Sequence, residues 1–238
     1  MEPARNFAIE KATGDWILLL DPDERIEPSF GKRIRKLVQA EEVNYYRVPR
    51  KNIVFGKWMR NSRWWPDYNI RLFRKGTVTW NKDIHSVPLT VGNGVELASD
   101  LKHAIVHLHY ESIEQYIERM NRYTTQNAKN KIENGEVFIW REVISKPVSE
   151  FLSRYFFGKG YKDGFHGLAV ASLQAFSEMV VILKMWQMKG FAEIEPDVSR
   201  VVKEIEIAQK EVNYWKADAL VSVDGGIINR IKRKFKIG

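Results

Sequence analysis

Two carboxylates one residue apart, Asp21 and Asp23, close an uninterrupted apolar run, Trp16-Ile17-Leu18-Leu19-Leu20. Pro22 stiffens the backbone between them, so the pair can present oxygen ligands to Mg²⁺ or Mn²⁺. Such a hard cation could bridge the carboxylates to a diphosphate. The plainer alternative is an acidic turn that caps the following helix, and Asp-X-Asp spacing alone does not choose between them. Imidazoles offer a second set of ligands. His103, His107 and His109 fall on one face of the alternating stretch Leu101 to Tyr110, either as a nitrogen-rich metal site or as the lining of a half-buried sheet face. Arg71 and Arg74 lie on a strand-like run and are candidate phosphate contacts, the alternative being simple solvation.

The elements that must position these groups follow from the pattern. Phe7, Ala8 and Ala12 give a short helical face stopped near Gly14, ahead of the apolar run, which reads as a strand covered on both faces. Pro28 opens a helix with Phe30, Ile34, Leu37 and Val38 at helical spacing. Helix, buried strand, acidic loop, helix is the rhythm of an α/β domain, in which ligands sit beyond the carboxyl ends of strands. Tyr45 to Val54 reads as a strand broken at Pro49, with further strands at Tyr68 to Arg74 and Thr77 to Trp80 around a Lys75-Gly76 turn. From Ser112 the pattern turns helical, with Ser112 and Gln115 spaced as a capping box. Leu168, Ala175, Met179, Ile182 and Trp186 form one stripe, and Val198, Val201, Val202, Ile205, Val212 and Trp215 are expected to face inward on a last helix.

The run from Ala4-Arg5-Asn6 through Gly14-Asp15-Trp16 to Asp21-Pro22-Asp23-Glu24 resembles the middle of a family 2 glycosyltransferase with the GT-A fold, in particular the branch of lipopolysaccharide core glucosyltransferases. The stretch Ile70 to Gly76, the pair Ile84-His85 and the helix Tyr116 to Tyr123 resemble it too, so the likeness spans roughly the first half of the chain. It implies a Rossmann-like sheet domain and an inverting transfer from a nucleotide-sugar. Asp21, Asp23, Arg71 and Arg74 would then bind the donor, and Asp21, Asp23 and His109 or His107 would hold Mg²⁺ or Mn²⁺. Two departures stand out. The nucleotide-binding units that precede the Ala-Arg-Asn helix in the family are not in this sequence. His85-Ser86 replaces the family's frequent His-Glu, which leaves Asp83, Asp67 or His85 as candidates for the proton-accepting machinery.

The second half invites a membrane reading. Phe151, Tyr155, Phe156, Phe157, Tyr161 and Phe165 interleave with Arg154, Lys159 and Lys162, and the tail carries Arg230, Lys232, Arg233, Lys234 and Lys236. Rings and cations of this kind suit the headgroup layer. The alternative is a packed helical hairpin or an oligomer contact. No run reaches the ~18 uninterrupted apolar residues of a spanning helix; Gly167 to Met188 comes nearest, interrupted by Gln174, Glu178 and Lys184.

The expected organisation is therefore a partial GT-A domain over 1–125, an aromatic and basic helical region over 126–190, and a final helix with a basic tail over 191–238. The chain has 238 residues, 38 Lys plus Arg against 30 Asp plus Glu, and no cysteine, which excludes disulfide scaffolds and thiol chemistry. The net charge of +8 calls for an anionic partner. The basic residues are scattered and match no RNA- or DNA-binding motif, so nucleic acid is not the expected one. No secretory signal is visible at Met1 to Arg5. The leading expectation is a sugar transferase on the cytoplasmic membrane face, acting on a glycolipid or polysaccharide precursor. The competing one is a non-catalytic, membrane-associated binding module, or a fragment lacking the donor half.

Overall fold

The computed structural model describes residues 2–80 and 88–237, which fall into two compact units. The first comprises Met1–Trp58 and Trp64–His109, and the second Met59–Arg63 and Tyr110–Gly238.

In the first unit, α1 (Glu2–Lys11) precedes β1 (Trp16–Leu18), so the apolar run is strand for only three residues. Leu19 still donates its backbone N–H to the Arg71 carbonyl at 2.8 Å, which keeps the chain on the sheet up to the acidic turn. That turn leads into β2 (Glu24–Ile26) and α2 (Pro28–Leu37), whose Phe30 is fully buried. Next come β3 (Tyr45–Val54), β4 (Lys57–Trp58), β5 (Asp67–Arg74), β6 (Val78–Thr79), β7 (Leu89–Thr90), β8 (Gly94–Glu96) and β9 (Ile105–Tyr110). Pro49 does not break β3: the strand runs through it, and the irregularity in its pairing with β5 falls instead between Tyr46 and Arg47.

The main sheet is mixed and has seven strands. Its path is β1-β5-β3-β9-β2, with β4 and β8 also paired to β3; β6 and β7 form a separate ribbon. β1 and β3 flank β5 antiparallel, β2 runs antiparallel to β9, and β8 runs parallel to β3. Phe30, Tyr46, Val48, Leu72, Leu97 and Ile105 make one core, and Ile9, Ile17, Phe73, Val78 and Trp80 another. Burying each such side chain contributes roughly 1.5–3 kcal/mol, so the sheet has a core of its own.

The second unit is helical: α3 (Ile113–Glu133), α4 (Glu142–Leu152), a π turn at Ser153–Phe157, a 3₁₀ turn at Gly160–Asp163, α5 (Phe165–Met188), α6 (Val198–Asp224) and α7 (Ile227–Phe235). An α/β sheet unit followed by a helical unit is the expected fold class. The cap forms with one change: Ser112 Oγ accepts from the Gln115 N–H, but Gln115 Oε1 reaches one residue beyond the N-cap and accepts from the Glu111 N–H at 2.8 Å. Buried Asp163 accepts from the Arg60 and Asn61 backbone N–H groups and the Asn61 side chain, which ties Met59–Arg63 into this unit. Gly167 is required: a Cβ there would stand 1.9 Å from the Gly160 carbonyl oxygen.

Two expectations about helix faces change. On α5 the buried residues are Gly167, Val170, Ala171, Ala175, Val181, Ile182 and Met185, so only Ala175 and Ile182 of the proposed stripe are fully covered. Trp186 is drawn aside, donating its indole N–H to the Ala192 carbonyl and packing on Phe191. On α6, Val198, Val202, Ile205 and Val212 are exposed rather than inward, because α4 and α7 cover a different side that buries Ala217. By length and composition α5 is apolar enough to cross a membrane, a test the core helix of a soluble protein also passes; one third of its apolar window is buried.

Candidate functional site

α1, the acidic turn, β2, β3, β5 and β9 bring four carboxylates, three guanidiniums and two imidazoles together in the first unit. Pairing of Glu24 with His107 in the β2/β9 register sets the acidic turn beside the histidines, and the Leu108 N–H fastens it by donating to the Asp23 carbonyl at 2.9 Å. Glu24 also closes the turn, its Oε2 accepting from the Asp21 N–H at 3.1 Å.

Asp21 is gripped from two sides. Arg5 Nη2 on α1 reaches its two oxygens at 2.7 and 2.9 Å, and Arg71 Nη2 on β5 donates at 2.6 Å. Burial pushes its carboxyl upward, but Arg71 and Arg5 outweigh that and hold it below the usual carboxylate range. Arg71 also donates to Glu24 Oε1 at 2.7 Å, where Arg50 Nη1 reaches the same oxygen at 3.1 Å. Glu24 has no exposed side-chain surface and Arg71 only 5%, so this pair is charge against charge in a dry interior.

Asp67 is the next link. Arg50 Nε and Nη2 sit 2.9 and 2.7 Å from its Oδ2, and Asn52 Nδ2 donates to that oxygen at 2.9 Å. Burial raises the Asp67 carboxyl, yet Arg50 and the hydrogen bonds from Asn52, Arg50 and Asn69 leave it lowered overall. The amide of Asn52 also donates to the Trp64 carbonyl, so its oxygen is turned to His107 Nδ1 at 2.6 Å. Nδ1 therefore carries the proton, and the lone pair of His107 lies on Nε2. That nitrogen is 3.5 Å from Asp23 Oδ2 and 3.4 Å from His109 Nδ1. Burial, and then the charge of Arg50, hold His107 below the usual histidine pKa, in the neutral form that can ligate a metal. Trp64 packs edge-on against His109 at 5.3 Å.

The structure thus gathers Asp21, Asp23, Asp67, Arg71, His107 and His109 of the expected site, and adds Arg5, Glu24, Arg50 and Asn52. Arg74 goes elsewhere: its Nε and Nη2 donate to the Val43 and Ala40 carbonyls and its guanidinium lies over Trp16. His103 precedes β9 and is buried, its Nδ1 2.7 Å from Asp100 Oδ1. Asp83, His85 and Ser86 lie outside the described residues. Arg50 and Asn52 carried a legible signal. They share the alternation of Tyr46, Val48 and Val54 on β3, which puts polar groups at core-facing positions.

Among the described residues, no three His, Asp or Glu side chains form a complete metal-binding group. Four carboxylates against three guanidiniums nonetheless leave the cluster one negative charge in excess. Asp23 Oδ2 and His107 Nε2 are the donors that face each other. A Mg²⁺-like ion is commonly held by one or two carboxylates and completes its shell with phosphate oxygens and water; Asp23 offers one such carboxylate, with the His107 nitrogen beside it.

The family described as glycosyl transferase family 2 matches residues 2–90. A lipopolysaccharide core biosynthesis glycosyltransferase, LpsC, of Rhizobium meliloti is 24% identical, the alignment covering 77% of this chain and 68% of that protein. Uncharacterised glycosyltransferases of Rickettsia typhi and Rickettsia felis are 22% and 21% identical over 77% and 76% of this chain, and 66% and 67% of their own lengths. The chain thus spans about two thirds of the length of these relatives. No solved structure matches it. The sheet unit, the acidic turn at its strand ends and the match over residues 2–90 make this part of the chain similar to the family 2 glycosyltransferases.

Proposed function

We propose that the chain takes part in transferring a sugar from a nucleotide-sugar to a glycolipid or polysaccharide precursor on the cytoplasmic face of the membrane. The observation that carries the donor half of this reading is the facing of Asp23 Oδ2 and His107 Nε2 at 3.5 Å, braced by the Arg50–Asp67–Asn52 chain. Asp23 and His107 would hold Mg²⁺ or Mn²⁺, with His109 adjacent; the bound cation supplies charge neutralisation for the departing diphosphate. Asp21, with both oxygens engaged by guanidiniums, positions the turn and keeps Arg5 and Arg71 in place.

In the transfer, an acceptor hydroxyl oxygen bonds to the anomeric carbon as the bond from that carbon to the diphosphate oxygen breaks. The electron pair leaves with the diphosphate. The hydroxyl proton passes to a base. Asp67 is poorly suited to that last role, because Arg50 and Asn52 stabilise its ionised form; it serves as an orienting group for Asn52 and His107. Asp83 and His85 remain the candidates for the proton-accepting machinery.

The membrane half of the reading is supported by α7. Ile228, Ile231 and Phe235 are exposed on a short helix that also bears Arg230, Lys232, Arg233 and Lys234. LpsC acts in lipopolysaccharide core biosynthesis by its name, and a lipid-carried acceptor of that kind would suit a surface-bound enzyme.

Calorimetry with Mn²⁺ and UDP-glucose, then with other nucleotide-sugars, tests the donor site. Metal-dependent heat that disappears in Asp23→Ala supports the reading. Absence of heat with every donor would mean that this chain does not bind a nucleotide-sugar by itself.

A further inference from the structure

The helical unit holds a partly polar cavity, of about 160 Å³, between α3 and α5. Tyr110, at the end of β9, closes one side. Tyr116, Tyr123, Thr124 and Asn127 come from α3, and Gln174, Ser177 and Glu178 from α5. The spacing of 116, 123 and 127 on one helix against 174, 177 and 178 on the other places both sets along facing helical rows. The cavity is larger than the ~30 Å³ share of one water and smaller than the ~300 Å³ or more of pockets for drug-sized ligands.

Its polar groups are not equally satisfied. Gln174 Nε2 donates to the Tyr116 hydroxyl at 2.9 Å, Tyr116 lies 3.1 Å from Ser177 Oγ, and Ser177 donates onward to the Leu173 carbonyl. Those groups form a closed chain. Glu178 is half-buried in the same wall, and among the described residues its carboxylate makes no hydrogen bond or ion pair. Burial, reinforced by Glu150, raises its pKa, as expected for a carboxylate without donors. Tyr123 is 48% exposed as a residue, and Asn127 is open to solvent.

A half-buried carboxylate without donors, next to the exposed phenol of Tyr123 and an open amide, is matched by a ligand with several O–H donors and a flat C–H face. The geometry points to this cavity as a binding site for a single sugar ring, with Glu178 accepting from ring hydroxyls and Tyr123 stacking on its face. An organic ammonium could also meet a carboxylate and phenols. It is the weaker match, since Lys131, Lys146 and Arg154 already lie near enough to temper the charge of Glu178.

Saturation-transfer NMR on the full chain, with the methyl glycosides of glucose, galactose and mannose, tests this directly. At least one glycoside should receive saturation, and Glu178→Leu and Tyr123→Ala should each weaken its binding about tenfold or more. Tyr123→Ala changes an exposed side chain, so it keeps the test readable should Glu178→Leu fold poorly. Three results would overturn the proposal: no transfer to any glycoside, transfer unaffected by both variants, or binding of ethanolammonium without the glycosides. The glycosides carry no diphosphate, so failure of nucleotide-sugar binding at Asp23 would leave this outcome independent.

Discussion

Replacing Arg71 by Met probes the charge pairing that holds the acidic turn. Arg71 Nη2 bridges Asp21 Oδ2 at 2.6 Å and Glu24 Oε1 at 2.7 Å, while the Glu24 side chain has no exposed surface. Met fills much the same volume, so the change removes charge and donors more than packing. Glu24 would then rely on Arg50 at 3.1 Å, and Asp21 on Arg5. Removing one partner of a buried ion pair costs ~3–5 kcal/mol, because the other charge stays in a low-dielectric site. At ~2–4 °C per kcal/mol for a chain of this size, the thermal midpoint of the sheet unit should fall by roughly 6–20 °C. Differential scanning fluorimetry following the tryptophans of that unit reads the shift, and Glu24→Gln added to Arg71→Met should recover part of it. A midpoint lowered by less than ~2 °C, equivalent to under about 1 kcal/mol, would refute the reasoning. So would a double variant no more stable than Arg71→Met alone.

Other outcomes follow from the same geometry. Asn52→Leu removes the acceptor that holds His107 in its Nδ1–H form, and Mn²⁺ affinity measured by electron paramagnetic resonance should drop ~10–100-fold. Asp21 and Asp67 both have folded pKa values below the ordinary carboxylate range of about 4. Their stabilisation should therefore be present above about pH 4 and be lost as pH falls through the lowered folded values; a pH series of thermal midpoints, shallower in Asp67→Asn, checks it. Gly167→Ala drives a Cβ against the Gly160 carbonyl and should cost ~1–3 kcal/mol in a urea titration. Arg230→Gln with Lys234→Gln should weaken binding to phosphatidylserine vesicles roughly 30-fold in a flotation assay, at ~1 kcal/mol per cation, whereas Lys236, paired with Glu211, should matter less.

Local patterns in the chain were sufficient for the elements and for one half of the site. Pro28, Ser112 with Gln115, and the apolar run before Asp21 mark helix starts and a strand because their cause is local: backbone dihedrals, capping bonds, and side-chain periodicity. The acidic turn was legible for the same reason, since Asp21, Asp23 and Glu24 are neighbours. Tertiary structure decided the remainder. Asn52 meets His107 across 55 residues and Arg71 meets Glu24 across 47, contacts created by the β3, β5, β9 and β2 order and by the Glu24–His107 register. Such pairings are the sum of many cross-strand contacts, and no short window of sequence contains them. They also turned Asp67 toward Arg50 and drew Arg74 to the carbonyls after α2. The faces of α5 and α6 show the same division. Spacing reveals that a helix has an apolar side, but only its neighbours, α3 and α4 for one and α4 and α7 for the other, determine which side is covered.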